Sequence, residues 1–227
     1  MSEIPWSVVM DPQRLCELEE LHILDTSPEQ SYDDLAGLAR VICDAPVANI
    51  TMVAQNRQWF KSRVGSETTE TAIEHSVCAH AIGEPSDLII NDLRNDPRTR
   101  DNLLVTGEAS LRFYAGVPLR LNAGFGVGTL CVLDTKPHPA GLSRVQRDAL
   151  RTLGRQITIL LQIRKFLARH SRSDVGDLEP ANALQHVSEH LISAYNANKL
   201  IDDGLLEVLL NTSLLHVGRR IAENERL

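Results

Sequence analysis

Of the residues able to carry chemistry, Cys78 is placed best for it. It lies in S-V-C-A-H-A-I (76–82), with His75 before it and His80 after it. Ser76 reads as the N-cap of a short helix that Gly83 closes, which puts Cys78 in the first turn. There the helix dipole and any neighbouring imidazolium favour the thiolate, the nucleophilic and oxidisable form. The alternative is a small buried thiol that fills space. No metal site is expected, because the 75/78/80 spacing does not gather three ligands on one helical face and no fourth ligand follows at a recognised interval. Asp92, Asp96, Arg98 and Arg112 form a second polar group around the stretch 91–110. They could contact a ligand. Equally, Asp96-Pro97-Arg98 could be a turn held by an ion pair, and Arg112 a bridge to a carboxylate. A third group is His186, His190 and His216 near the C-terminus. Glu17, Glu19 and Glu20 read as the solvated face of a helix, and no Walker loop, H-E-x-x-H or G-x-S-x-G occurs.

The elements that must position these groups centre on Leu111–Asp134. Phe113, Ala115, Val117 and Leu119 alternate with their neighbours, as do Val127, Thr129, Cys131 and Leu133. Asn122-Ala123-Gly124 lies between the two runs, which is a hairpin signal. Both faces of the second strand are largely apolar, so the hairpin should lie inside a sheet covered on both sides. Gly116 and Gly128 leave spots where a backbone or a ligand could approach closely. Upstream, Asp11-Pro12 opens a helix to about Leu24, and a second helix runs from about Pro28 to Asp44. Strands are expected at 47–53, 58–62 and 88–90, with loops at 65–74 and 91–110. A connection as long as 91–110 suggests a lid.

Ser143 caps a long helix to about His170. Leu150, Leu153, Ile157, Leu160, Arg164 and Leu167 follow heptad-like spacing along it, and Ile159, Ile163 and Phe166 form a second stripe. One sheet-packing face needs only one stripe, so the first set is assigned to a homodimer interface. The alternative is that the C-terminal segment of the same chain covers the extra stripe. Residues 171–178 read as a linker. Beyond it, Leu184, Val187, Leu191 and Ala194, then Leu206, Leu210, Leu214, Val217 and Ile221, suggest a helical hairpin or one bent helix.

R-F-Y-A-G-V-P-L followed by G-x-G-T-L-C-V-L-D resembles the central hairpin of a GAF domain, a PAS-like small-molecule sensing fold, in the subgroup found in bacterial signalling proteins. L-x-I-L-D-T-S-P-E (21–29), R-Q-W-F-K-S (57–62), S-V-C-A-H-A-I and N-D-L-R-N-D-P-R (91–98) agree in order. The resemblance implies an α+β fold, an antiparallel sheet flanked by helices, with the cavity between the sheet and the 91–110 connection. Trp59, Phe60, Cys78, His80, Asp92, Asp96, Arg98, Arg112, Tyr114 and Cys131 would then line it. Some GAF domains hold a bilin on cysteine, and one branch reduces free methionine sulfoxide. This chain lacks the Cys-His dipeptide of the first, since Ala79 intervenes, and the cysteine pattern of the second. The tail also resembles the dimerisation and phosphoacceptor hairpin of histidine kinases. However, Val187 and Leu191 follow His186 and His190 where an acidic residue is expected, and no ATP lid occurs.

The expected organisation is an N-terminal tail (1–10), a GAF domain (11–170), a linker (171–178) and a helical segment (179–227). Hydrophobic content of 43% and charged content of 23% describe an ordinary globular protein. The net charge of −7 argues against nucleic-acid or anionic-membrane partners. No apolar run reaches the length of a bilayer span and the N-terminus lacks a signal-peptide pattern, so a cytoplasmic location is expected. Cys16, Cys43, Cys78 and Cys131 read as free thiols. The expected function is a non-enzymatic sensor of a small molecule or of redox state, of the two-component kind, signalling through a dimer to a partner protein. A thiol-dependent enzyme using Cys78 is the alternative, a ligand-free dimerisation scaffold a further one, and no particular cofactor is implied.

Overall fold

The computed structural model describes residues 4–121, 123–174, 180–201 and 204–224. Asn122 of the expected hairpin turn, residues 175–178 of the expected linker, Asp202-Asp203 and the His186 side chain lie outside the described residues. Two compact units are present, residues 1–170 and 171–227.

In the first unit, six strands form one antiparallel sheet: β1 (Val47–Val53), β2 (Arg57–Val64), β3 (Glu70–Ala72), β4 (Leu88–Ile90), β5 (Phe113–Arg120) and β6 (Gly126–Asp134). Their order is β3-β2-β1-β6-β5-β4. The expected hairpin is β5–β6, and every residue of β6 from Gly126 to Leu133 is buried, as its two apolar faces require. β3 lies in a stretch expected as a loop. Its three residues are polar or small and only partly covered, so they leave no alternating signal. Backbone pairing of Arg57 with Ala72 and the Arg57–Glu70 ion pair place it at the edge.

Helices cover both faces. On one lie α2 (Pro12–Glu19), α3 (Gln30–Cys43) and α6 (Arg144–Asp174), whose Leu18, Ala36, Ala39, Leu150, Ile157 and Leu161 meet Ile50, Met52, Phe113, Ala115, Leu130 and Val132. On the other lie α1 (Trp6–Val9), α4 (Val77–Ala81) and α5 (Leu103–Thr106), against Val53, Tyr114, Cys131 and Leu133. α1 falls where a tail is expected, because a single turn that buries only Val9 gives no periodic pattern. Arg14, 1% exposed, ties it to the sheet by donating to the carbonyls of Val8, Val9 and Val53. α2 begins as expected, with Asp11 accepting from the amides of Gln13 and Arg14, but ends at Glu19. Leu21 and Ile23 are buried from the loop that follows, where His22 and Asp25 take positive φ. The long connection contains only the single turn α5, which Asn102 caps.

α6 starts with a reciprocal cap, the Ser143 hydroxyl accepting from the Gln146 amide and the Gln146 side-chain oxygen from the Ser143 amide. The stripe assigned to a dimer interface faces its own domain instead. Leu150 and Ile157 are buried in the core, Leu153 and Leu160 pack against it, and Arg164 donates to the carbonyls of Leu21 and His22. Only Leu167 of that set is exposed. Helical geometry explains the split: a straight helix drifts about 20° per heptad, and Leu167 sits about 100° around the axis from Leu150. The outward face holds Ile163 and Phe166, at 45% and 59% exposure. α6 continues through Asp174, so the first residues of the expected linker are helical.

Two of the sequence motifs meet in one charge network. The Lys61 ammonium, its side chain fully buried, donates to the Thr26 hydroxyl, the Ser27 carbonyl and the Glu29 carboxylate. Glu29 also pairs with Arg164 at 2.8 Å, and the Ser62 hydroxyl donates to Asp33. The 21–29 and 57–62 motifs are therefore the two halves of a joint between β2, the α2–α3 turn and α6.

In the second unit, α7 (Pro180–Ile201) and α8 (Gly204–Asn224) pack on each other as the expected hairpin, with Leu210 and Val217 buried and the Tyr195 hydroxyl donating to Glu207. Among the described residues no helix is long and apolar enough to cross a membrane.

Candidate functional site

Where the sheet meets α4, the buried layer changes from aliphatic to polarisable. Strand periodicity puts Thr129 and Cys131 on the same face of β6, with Thr51 opposite Thr129 and Gly116 opposite Cys131. Ser76 caps α4 by accepting from the Ala79 amide, which turns Cys78 down onto that face. The Cys78 and Cys131 sulfurs are 3.8 Å apart. The Tyr114 hydroxyl donates to Cys78 Sγ at 3.3 Å, and the hydroxyls of Thr51 and Thr129 are 3.0 Å apart. Gly116 makes this possible: a Cβ there would stand 2.2 Å from Tyr114 Oη, so the ring lies across a position with no side chain. Ile73, Val77, Ile82, Leu93 and Val105 close the cluster from outside.

Burial pushes the Cys78 thiol up, but hydrogen bonds to its sulfur from Cys131, Thr129, Tyr114 and Thr51 outweigh that and bring it down to about 7. Its hydrogen bond with Cys78, together with burial, holds Cys131 well above the ordinary thiol value. Burial and the adjacent sulfurs keep the Tyr114 phenol protonated. The two sulfurs therefore titrate as one pair, with the hydroxyls around them favouring the loss of its first proton.

The other expected site residues fall elsewhere. Trp59 is buried on the opposite face, in the core beneath α2, α3 and α6. The bulge between Ile50 and Thr51 sets this register, pairing Trp59 with Met52 and Phe60 with Thr51, and a bulge has no sequence signature here. Phe60 is half-buried and belongs to neither core. Arg112 makes a two-pronged ion pair with Asp92, at 2.7 and 2.8 Å. Asp96 holds Arg98 in the same way, and Arg98 reaches on to Glu84. His80 sits beside this second pair, where burial and the Arg98 charge lower its pKa. These contacts pin the 91–98 connection to its surroundings. His75 contributes its carbonyl, which accepts from Asn102, and among the described residues no group of three metal-ligating side chains forms. Thr51, Thr129 and Glu84 escaped the sequence reading. A polar residue sharing strand parity with Cys131 was the available signal for Thr129, and Thr51 is placed only by its pairing with Thr129.

An open groove of about 430 Å³ runs between β5 and α6, lined by Asp87, Val117, Arg120, Arg151 and Arg155 among others. A smaller one of about 200 Å³ lies by Ser7, Gly83 and Gly126. Neither reaches the sulfurs, so the chemistry and the open space are in different places.

Residues 12–161 match the GAF domain family model, and the chain belongs to that family. It is 34% identical over 125 residues to a cyclic di-GMP phosphodiesterase of Pseudomonas aeruginosa, a match covering 55% of this chain and 21% of that protein. The chain therefore spans about a fifth of that relative's length. Among solved structures it is similar to the GAF domain of an Acinetobacter phosphoenolpyruvate-protein phosphotransferase, 14% identical over 73% of this chain and 98% of that one, TM-score 0.48. It is also similar to the PixJ GAF domain of Thermosynechococcus elongatus, 16% identical over 73% and 98%, TM-score 0.49. A free methionine-R-sulfoxide reductase from Neisseria meningitidis is 15% identical over 73% and 86%, TM-score 0.47.

Proposed function

We propose that this chain is a non-enzymatic, cytoplasmic sensing module of a signalling protein. Its GAF domain responds to a small molecule or a redox event on the Cys78 face, and α6 passes the change to a second copy and a partner protein. The observation that carries this reading is the way α6 is held on one side and exposed on the other. The helix is rooted on the sheet through Leu150, Ile157 and Leu161 and on the α2–α3 turn through Arg164, yet it continues to Asp174 and presents Ile163 outward. A shift of the sheet must therefore move the helix. The similarity to part of a cyclic di-GMP phosphodiesterase supports a role beside an output activity. Burial favours a sensor over a thiol enzyme: Cys78 is 2% exposed, and a substrate would have to open the domain to reach its sulfur.

Native mass spectrometry of the full chain purified from its own host reports bound small molecules and subunit count together. The expected result is a dimer that Ile163→Glu converts to monomer. A monomer at every concentration removes the relay through a second copy, and a chain with nothing bound removes the small molecule as its input.

A further inference from the structure

We propose that Cys78 and Cys131 are a redox-active dithiol that a small hydroperoxide converts to an intramolecular disulfide. The geometry carries this. The two sulfurs face each other at 3.8 Å across the contact between α4 and β6, and both residues are at least 98% buried. A disulfide needs about 2.05 Å, so closure asks for less than 2 Å of movement from a five-residue helix packed on a strand. The remaining two cysteines serve as internal references: Cys16 is exposed, and Cys43 is buried in the other core.

The step balances without a cofactor. The Cys78 sulfur attacks an oxygen of ROOH, the O–O bond breaks, and ROH leaves with the thiol proton, giving Cys78 sulfenic acid. The Cys131 sulfur then attacks the Cys78 sulfur, the S–O bond breaks, and water leaves with the Cys131 proton. Two electrons pass from the sulfurs to the peroxide. The hydroxyl of Tyr114 stabilises the attacking sulfur. The surrounding wall of Ile73, Val77, Ile82 and Val105 selects the oxidant. A small neutral peroxide can enter as the domain breathes, whereas a bulky charged disulfide such as oxidised glutathione cannot.

This deepens the sensor reading by naming its input, and it rests on that reading only for its consequence at α6. The reduced full chain is treated with hydrogen peroxide or, separately, with oxidised glutathione, alkylated under denaturing conditions, and mapped by mass spectrometry without reduction. The expected result is a linked Cys78–Cys131 peptide, two hydrogens lighter than its parts, with peroxide only. Cys131→Ser should abolish it and leave a Cys78 sulfenic acid that dimedone traps. Both thiols alkylated intact, under peroxide that oxidises Cys16, overturns the dithiol and leaves the sensor reading with a small molecule as its input. Hydrogen exchange on the same samples separates the two ideas. A linked peptide with faster or slower exchange in α6 supports both. A linked peptide with α6 unchanged sustains the dithiol and sinks the relay.

Discussion

The two faces of this sheet are made of different material. Under α2, α3 and α6 the buried side chains are almost all aliphatic or aromatic, with Leu150, Ile157, Leu161, Phe113 and Leu130 at most 1% exposed. Under α4 and α5 an equally dry layer holds two thiols, a phenol and two hydroxyls. Buried polar groups are stable only when partnered, and here the partners are other members of the cluster and, for Cys131, the Asn49 backbone. The first face therefore supplies stability that tolerates volume-conserving change. The second is a network in which moving one member unsettles the rest.

This contrast can be broken from either side. The largest effect is expected on the aliphatic face: Ile157→Ala should lower unfolding free energy by about 2–5 kcal/mol, read by denaturant titration, and should speed rather than slow peroxide oxidation of Cys78, because the domain opens more often. Next, Gly116→Ala pushes a methyl into the Tyr114 hydroxyl. Overpacking of this kind costs about 1–3 kcal/mol, and expulsion of the ring should also slow oxidation of Cys78.

Glu29→Gln should cost about 1–2 kcal/mol, below the range for fully buried pairs because the carboxylate is 38% exposed. Burial raises the Glu29 carboxyl, but hydrogen bonds and charges from Lys61 and Arg164 outweigh it and hold the group below its ordinary 4.5. Its contribution is therefore complete above 4.5 and lost as pH falls through the lower folded value. The wild-type and Glu29→Gln unfolding midpoints should converge in acid and separate toward neutrality.

Tyr114→Phe removes one hydroxyl from the Cys78 sulfur. It should cost about 1 kcal/mol and raise the Cys78 pKa, which a pH profile of thiol alkylation in mild denaturant would register. The smallest effect is expected outside both faces: Ile163→Ser, on the exposed side of α6, should stay within about 0.5 kcal/mol in domain stability. That small value applies at dilutions where the chain is a monomer; a larger loss that grows with protein concentration would report cover of Ile163 by the second copy.

Much of the architecture is legible in the amino-acid order. The β5–β6 hairpin and the Asp11 and Ser76 caps follow from alternation and capping chemistry, which act over a few residues. β3 and α1 were illegible because each is a few residues held by a distant partner. The role of the α6 stripe was misassigned because spacing along a helix shows which residues share a face, not what that face meets. For the site, Cys78, Tyr114 and Cys131 are each legible separately, but what joins them is the packing of α4 onto the β5–β6 hairpin, a contact between segments far apart in the chain. Trp59 was lost to the bulge at Ile50/Thr51, which no local pattern announces.

The carboxylate of Glu29 answers to two cations at once, one sealed beneath the sheet edge and one on the departing helix. If the helix withdraws its guanidinium, the carboxylate is left to the ammonium alone. If the helix drags the carboxylate with it, the ammonium keeps only neutral oxygens for company. Either way, a tug on the rod is recorded as a change of charge balance inside the globule, and an event inside the globule is felt by the rod through the same atom.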